Sequence, residues 1–395
     1  MNSRGQKTED REQIAKYKTP KVDSPIHRFT RSPILISLFA AILFLPFKGL
    51  KATGIMFISI LILLSAVSIL KKAKVIDAIK AIRIPEAGRF KAFLIPALLI
   101  SFLAFPLMLK DYYIDVLIMS GIYTLLALGL NIIVGFTGLL NLGFAAFYAI
   151  GAYTYALLNT KLGLGFWTSL PISAGFAALA GLLLAIPALR LRGDYLAIVT
   201  LGFGEIVRLV LNNWDSLTNG PNGITGIAPP SLFGVSLGKL NLYYYLVFLL
   251  VLLAVIIIRR VESSRIGRAW IAIKENEIAA SSMGINTTKY KLYAFAFGTF
   301  WAGVAGILFS AKMQFVSPES FTFMESILIL SMIILGGLGN IYGAIIGAFI
   351  LVLLPEVLRE VQLYRMLILG IGLVLLMVFR PHGILGGVKG VHFRS

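Results

Sequence analysis

The sequence predicts an all-α membrane protein built as a bundle of many membrane-spanning helices. Of its 395 residues, 58% are hydrophobic and only 14% are charged, which leaves too little polar surface for a water-soluble globule. Apolar runs of roughly 20 residues, the length that an α-helix needs to cross a bilayer, recur along the chain. Nominally 12 candidate spans lie at 33–47, 52–70, 92–109, 115–135, 139–159, 168–189, 194–213, 241–258, 292–311, 322–337, 341–358 and 364–380.

The number of true spans depends on two features of these runs. The first run is short for a full crossing, and the fourth and fifth meet at the Gly-rich turn GFTGLLNLG. Non-helical backbone is tolerated at membrane depth only where protein or a water-filled cavity covers it, so these segments are candidates for re-entry. We therefore expect 10 to 12 spans.

Basic residues orient the spans, because short cytoplasmic loops retain Lys and Arg. The tail before the first span and the loops at 71–91 and 259–291 hold 8, 7 and 7 of the 36 Lys and Arg residues, and all three fall on one side of the 12-span arrangement. Both termini are therefore predicted to be cytoplasmic. The net charge of +18 favours contact with anionic membrane lipid, and no aromatic-interleaved basic motif indicates nucleic acid.

The same pattern divides the chain into three parts. Residues 1–32 form a basic cytoplasmic tail, and residues 33–91 contain two N-terminal spans followed by a basic cytoplasmic loop. Residues 92–395 form the core, which includes the polar cytoplasmic loop 259–291.

Catalytic and metal-binding patterns are missing from the sequence. It has no cysteine, and its three histidines lie in the tails or at a span end, outside any HExxH or similar cluster. It also lacks the GxxxxGK[ST] loop that cradles nucleotide phosphates. We therefore expect no catalytic residues, metal or cofactor in this chain, and any ATP hydrolysis has to come from another subunit.

Four polar residues stand out within the predicted spans. Glu205 and Arg208 are spaced so that they can meet on one helix face, either as an ion pair that orients the helix or as part of a pathway or gate. Asn131 and Asn141 flank the Gly-rich break LGLNIIVGFTGLLNLG. There, unwound backbone could face a polar substrate, or the asparagines could form interhelical hydrogen bonds.

Glycines in the stretch GGLGNIYGAIIGA predict close helix packing. Gly339, Gly343 and Gly347 recur every four residues, so they would share one helix face that another helix can approach closely. That second helix could belong to this chain or to another subunit.

The cytoplasmic stretch RIGRAWIAIKENEIAASSMGINTTKYK, residues 265–291, is polar between two apolar spans. Trp270, Ile271, Ile273 and Ile278 recur among charged residues at spacings typical of short amphipathic helices, and Gly284 ends the pattern. Such helices are too polar to cross a membrane. They are predicted to lie on the bilayer surface or to dock into a cytoplasmic partner.

Within that stretch, ENEIAASSMGIN resembles the cytoplasmic signature by which permeases of ABC importers dock into their ATPase subunits. Ala279 and Ala280 match its two alanines and Gly284 its glycine, but Ile278 stands at the Glu position and Glu277 is one residue early. This variation resembles the LivM type of branched-chain amino acid permease. Further stretches that resemble this type, in the same order between about 115 and 385, are GLLNLGFAAFYAIGAY, RGDYLAIVTLGFGEIVRLVLNN, NGPNGITGI, SPESFTFMESILILSMIILGGLGNIYGAIIGA and FRPHGIL.

The resemblance implies a transport subunit without its own ATPase in a bacterial cytoplasmic (inner) membrane importer for leucine, isoleucine and valine. Its implied partners are a LivH-like second permease, two ATPase subunits that hold ATP and Mg²⁺, and an extracytoplasmic substrate-binding protein. It also implies that residues 92–395 are the permease core. The implied ATPase-coupling residues are Glu277, Ala279, Ala280 and Gly284.

Two other functions stay open at this point. Permeases for urea or short amides share these motifs. An ion-coupled secondary transporter, which is a different class, would place buried carboxylates at corresponding positions of two inverted halves. The spans show one buried carboxylate, Glu205, beside an arginine, and no evident repeat.

Overall fold

The computed structural model describes residues 110–188, 193–232 and 235–357, together with 370, 371, 374 and 383–385. The predicted spans before residue 110 and both predicted cytoplasmic termini lie outside the described residues. Only three residues of the predicted span at 364–380 lie within them, and all three are helical.

The described part is predominantly helical, as the sequence predicts. Its long helices are α1 (Asp111–Leu130), α2 (Ala145–Leu162), α3 (Phe166–Ala188), α4 (Asp194–Asn213), α6 (Leu240–Glu262), α9 (Thr287–Met313), α10 (Phe323–Gly336) and α11 (Ile341–Val357). The short helices are α5 (Asp215–Thr218), α7 (Arg265–Glu275) and α8 (Glu277–Ser282). A π-helix (Asn131–Phe136) continues α1, and single 3₁₀ turns lie at Gly220–Asn222 and Pro318–Phe321.

Two small antiparallel sheets accompany the helices, which the all-α prediction did not include. Strand β1 (Ile224–Thr225) pairs with β4 (Phe315–Val316), and β2 (Ser231–Leu232) pairs with β3 (Val235–Ser236). Each strand has only two residues, so the sheets order the connections between helices without changing the helical class of the fold.

Six segments of the described residues are long and apolar enough to cross a membrane. They are Asp111–Phe136, Phe166–Ala188, Tyr195–Asn213, Leu240–Glu262, Thr287–Met313 and Pro318–Gly336, and Ile341–Glu356 is a shorter apolar helix. The predicted span at 139–159 differs most from the structure. Its helix begins only at Ala145, and residues 137–144 are not helical.

Helix α9 lies at the centre of the described bundle and packs along α1, α2 and α3. Glycines permit these approaches. A methyl group added at Gly151 would lie 2.5 Å from the Cα of Gly303, and one added at Gly298 would lie 2.7 Å from the carbonyl oxygen of Gly129. Backbones therefore touch directly in the core, as is common in membrane helix packing.

Helices α10 and α11 form an antiparallel pair joined by a tight turn. Gly343 and Gly347 face α10: an added methyl group would lie 2.5 Å from the carbonyl oxygen of Gly336 at the first position and 1.9 Å from that of Met332 at the second. The packing partner is thus within this chain. The prediction of one helical face is wrong for Gly339, which precedes α11 and adopts a left-handed conformation (φ +83°) because the chain reverses there.

The segments that connect the helices form two groups, and the members of each group contact one another. In the first group, Lys274 Nζ donates to the carbonyl oxygen of Gly135 at 2.8 Å, and Asn340 Nδ2 donates to that of Leu385 at 3.1 Å. In the second, Lys161 Nζ donates to the carbonyl oxygen of Ser216 at 3.3 Å, and β1 pairs with β4. The described loop 259–291, which is predicted to be cytoplasmic, belongs to the first group.

Candidate functional site

Helix α7 begins the polar cytoplasmic stretch and has a strongly amphipathic pattern. The Ser264 hydroxyl caps its start by accepting a hydrogen bond from the Ile266 amide at 3.2 Å, which satisfies an amide that the first turn leaves free. Ala269, Trp270 and Ile273 form the buried face of the helix. Arg265, Arg268 and Glu275 are exposed, as the sequence pattern predicts.

Trp270 anchors α7 to the membrane helices of the same chain. The residue is only 1% exposed, and its Nε1 donates to the carbonyl oxygen of Tyr290 at 2.8 Å. Its ring stacks between Phe136 of the π-helix and Phe297 of α9, with centroid distances of 6.5 and 6.4 Å. Its own chain therefore covers the apolar face of α7, and the prediction that this helix lies on the bilayer surface or docks into a cytoplasmic partner stays a prediction for its outer face.

Lys274, in the last turn of α7, reaches the same π-helix. Its Nζ donates to the carbonyl oxygen of Gly135 at 2.8 Å. The π-helix is also tied to the α10–α11 turn, because the side-chain oxygen of Asn131 accepts a hydrogen bond from the Gly339 amide at 2.9 Å. π-helical segments are rare and occur often at functional sites. The structure therefore brings α7, the end of α1 and the α10–α11 turn together at one point.

The four predicted coupling residues lie in α8 and the turn that follows it. Asn276 caps the helix, since its Oδ1 accepts from the Ala279 amide at 3.0 Å. Glu277 forms an ion pair with Lys291 of α9, with 2.5 Å between Oε1 and Nζ, and Ala280 is buried. Ala279 is exposed, so of the two alanines only Ala280 packs against the rest of the chain.

Gly284 ends α8 in a left-handed conformation, with φ of +82°. The amide of Ile285 donates to the carbonyl oxygen of Ala280 at 3.1 Å, which is the six-residue closure of a Schellman motif. A methyl group at Gly284 would meet no atom within 4 Å, so glycine is favoured here by backbone conformation and not by crowding.

The outer surface of α8 carries large apolar side chains beside the exposed hydroxyl groups of Ser281 and Ser282. Ile278 is 71% exposed and Met283 is 84% exposed, on either side of the small side chain of Ala279. Sequence reasoning named Ile278 but missed Met283, since only the turn at Gly284 determines that its side chain points outward. Ile278, Ala279 and Met283 together form a small apolar knob on the polar stretch 265–291.

The structure joins Glu205 and Arg208 as predicted and adds a third member. Arg208 Nε lies 3.0 Å from Glu205 Oε2, and its Nη1 lies 3.5 Å from Oε1 of Glu319, in the turn before α10. The side chains of Arg208 and Glu205 are 27% and 33% exposed. Their helix, α4, is the least buried of the six span-length segments in the described residues.

The non-helical segment 137–144 is held by side chains of other helices. Thr200 Oγ1 of α4 accepts from the Leu142 amide at 3.0 Å, and Ser326 Oγ of α10 accepts from the Ala145 amide at 2.9 Å. A narrow crevice here is lined in part by Gly143, Glu205 and Ser326. Sequence reasoning missed Thr200 and Ser326, whose only signal is a hydroxyl within an apolar run.

The two asparagines have different partners. Asn131 binds the Gly339 amide of another element, whereas the Oδ1 of Asn141 accepts from the nearby Gly143 amide at 3.0 Å. The amide nitrogen of each asparagine side chain is buried without a hydrogen-bond partner among the described residues.

Glu325 is a further, half-buried carboxylate within a predicted span, and sequence reasoning missed it. Glu325, in the first turn of α10, accepts a hydrogen bond from the Tyr123 hydroxyl of α1. The expectation of a single buried carboxylate is therefore wrong.

Within the part that the structure describes, no group of three or more His, Asp or Glu side chains is placed to hold a metal ion.

Known proteins match most of this chain. A family model described as the permease component of branched-chain amino acid transport systems matches residues 112–378. The high-affinity branched-chain amino acid permease proteins LivM of Salmonella typhimurium and Escherichia coli are each 47% identical to it, over 73% and 75% of both chains respectively. The LivH permease protein of Salmonella typhimurium is 30% identical over 68% of this chain and 92% of its own.

No solved structure matches the chain significantly. The matched residues contain every described helix from α2 to α11, the whole cytoplasmic stretch and all the polar residues discussed above. The chain therefore belongs to the family of permease components of branched-chain amino acid transport systems.

Proposed function

We propose that this chain is one of two different membrane-spanning permease subunits of an ATP-driven importer of leucine, isoleucine and valine. The observation that carries the proposal is the 47% identity to two LivM permease proteins over about three quarters of each chain. The 30% identity to LivH supports a related second permease as the partner, because LivM and LivH are both named as permeases of high-affinity branched-chain amino acid transport. The importer lies in the cytoplasmic membrane of a bacterium.

The chain supplies the path and its partners supply the energy and the substrate. Two ATPase subunits hold ATP and Mg²⁺, and a substrate-binding protein delivers the amino acid from outside. This division of labour is supported by the absence of a phosphate-binding loop from the sequence. The permease itself then needs only two conformations that open to opposite sides and an element that responds to the ATPase.

The apolar knob of α8 is the part of this chain that docks into an ATPase subunit. Ile278, Ala279 and Met283 present apolar surface to the partner, while Glu277 and Ala280 hold the helix on the bundle. Gly284 sets the angle at which the chain turns into α9. In this arrangement, Glu277 acts through Lys291 and not by touching the ATPase.

Helix α4 lines the translocation path together with the non-helical segment 137–144. A charged side chain that faces lipid costs several kcal/mol, so the partly exposed pair of Glu205 and Arg208 favours a face covered by water or by the second permease. The crevice between α4 and the segment links the ion pair to backbone around Gly143. Asn131 holds the preceding π-helix to the α10–α11 turn, and Asn141 holds the backbone of the segment at Gly143.

The span arrangement that fits this function has 12 crossings with cytoplasmic termini. The two groups of connecting segments in the fold support it, because contacts join segments that the positive-inside rule assigns to one side.

Transport by vesicles tests the proposed function. Vesicles contain this chain, a LivH-like permease and both ATPases, and they receive labelled leucine with its binding protein and ATP. We expect uptake that isoleucine and valine inhibit, that urea does not inhibit, and that an inactive ATPase variant abolishes. Uptake driven by an ion gradient without ATP would refute the importer, and inhibition by urea would refute the assigned substrate.

A further inference from the structure

We propose that Lys274 is a positioning residue that locks α7 to the π-helix of α1, so that movement of the cytoplasmic helices reaches the non-helical segment 137–144 as one rigid unit. The inference rests on the proposed function, because it concerns how an ATPase movement reaches the path. It concerns a contact that no motif in the sequence indicates.

The contact involves a charged donor and a backbone acceptor near the end of a π-helix. Lys274 lies in the last turn of α7, two residues before Asn276, which caps α8. It is therefore close to the docking helix. Its Nζ donates to the carbonyl oxygen of Gly135 at 2.8 Å. A hydrogen bond from a charged group is stronger than one between neutral groups, and it has a defined direction.

A second contact makes the junction rigid. The Trp270 ring stacks on Phe136, the last residue of the π-helix, with an angle of 10° between the ring planes. Trp270 is one helical turn from Lys274, so two side chains on the same face of α7 grip consecutive residues of the π-helix. Two attachment points prevent α7 from pivoting about either one.

The segment that receives the movement is placed to pass it on. Directly after the π-helix, the chain enters the non-helical segment, where the Leu142 amide binds Thr200 of α4, and the Ala145 amide at the start of α2 binds Ser326 of α10. The π-helix also binds the α10–α11 turn through Asn131 and Gly339. A displacement of Gly135 by Lys274 would therefore act on three membrane helices.

The first test removes the lysine from a complete importer. In Lys274→Met, we expect the ATPase subunits to co-purify as with the wild type, while the amount of leucine imported per ATP hydrolysed falls about 2- to 30-fold, the range for loss of one coupling contact. Lys289→Met removes an exposed charge from the same cytoplasmic stretch and should leave this ratio unchanged. Lys274→Arg keeps a charged donor and should retain most of the ratio.

The second test replaces the hydrogen bond by a covalent one. The chain has no native cysteine, and a Cβ built at Gly138, just after the π-helix, lies 3.9 Å from Lys274 Cβ, within the range of disulfides. Gly138 has a φ of +74°, so the single variant Gly138→Cys, which keeps Lys274, is the reference for the strain of a side chain at this position. The reduced double variant Gly138→Cys, Lys274→Cys should be uncoupled like Lys274→Met. Its oxidised form should recover the ratio, and dithiothreitol should remove the recovery from the same preparation.

Each remaining outcome counts against the inference. An unchanged ratio in Lys274→Met would overturn it, and a complex that does not assemble would show that the lysine is only structural. An oxidised double variant that stays uncoupled or is blocked would show that α7 and the π-helix move against each other. A wild-type complex without ATP-dependent uptake would refute the proposed function itself, whereas the other results overturn this inference alone.

Discussion

At the scale of single residues, the charges of the cytoplasmic stretch divide into two kinds. The sequence shows a basic loop of the sort that faces water and lipid heads, but Lys274 and Lys291 make contacts inside the chain. Lys291 has a side chain that is only 7% exposed, and a buried charge is costly unless it is paired. Glu277 therefore has a physical reason to stand where it does, independent of any partner.

The Glu277–Lys291 pair gives the prediction at this scale. Glu277→Gln should lower the stability of the purified chain by about 1.5 kcal/mol, the lower end of the range for hydrogen bonds to charged groups, because water reaches part of Glu277. The double variant Glu277→Gln, Lys291→Met removes both charges and should be closer to the wild type. Thermal unfolding in detergent measures both. A double variant less stable than Glu277→Gln alone would contradict a role for the pair in holding α8.

At the scale of elements, apolar periodicity predicts the helices well where each is one continuous run. The runs at 168–189 and 194–213 correspond closely to α3 and α4, because length and composition alone determine these spans. The run at 139–159 was misjudged at its start. Its first residues stay non-helical, and there Thr200 satisfies the Leu142 amide from 58 residues away along the chain, while Ser326 binds the Ala145 amide where the helix begins.

Tertiary contacts also explain the other errors in the candidate site. The pattern of α7 predicts an amphipathic helix correctly, but the rings that cover Trp270 come from Phe136 and Phe297, which a local pattern cannot reveal. The same holds for Gly339, whose four-residue spacing from Gly343 fits a helix although the chain turns there. Glu325 was missed because one acidic residue in a long apolar run gives little signal until Tyr123 is placed beside it.

Helices α3 and α4 give the prediction at this scale, because both have exposed faces but only α4 carries a charged pair, Glu205 and Arg208, near its middle. Gly175 of α3 and Gly202 of α4 lie near the middle of their helices, and an added Cβ meets no atom within 4 Å at either position. If α4 lines a water-filled path and α3 faces lipid, Gly202→Cys should react with a water-soluble thiol reagent roughly tenfold faster or more than Gly175→Cys. The thiolate is the reactive form, and each unit of rise in its pKa in lipid lowers its fraction about tenfold.

The measurement uses open membrane fragments that contain the whole importer, so that the reagent reaches both sides. Adding leucine-loaded binding protein with ATP should change the rate at Gly202→Cys and leave the rate at Gly175→Cys constant. Equal rates at the two positions would place both faces in the same environment and remove α4 from the path.

At the scale of the whole molecule, the positions of the basic residues and the contacts between connecting segments sort these segments into the same two groups. The loop 259–291 is rich in Lys and Arg, and its contacts lead to Gly135 and to the turn at Gly339. In the other group of connecting segments, Lys161 contacts the carbonyl oxygen of Ser216, and β1 pairs with β4. Because a helix that crosses a bilayer separates its two ends, these groups should lie on opposite sides of the membrane.

Two matched substitutions test this orientation in cells. Ser216 and Ser281 are both exposed, one in each group, and the chain has no native cysteine to interfere. A membrane-impermeant thiol reagent applied to spheroplasts should label Ser216→Cys and leave Ser281→Cys unlabelled, whereas inverted membrane vesicles that lack the ATPase subunits should give the reverse. The reason is that Lys and Arg are retained on the cytoplasmic side, which places α8 beside the ATPase. Labelling of Ser281→Cys from outside would put the apolar knob of α8 where no ATPase could reach it, so it would overturn the coupling role together with the orientation.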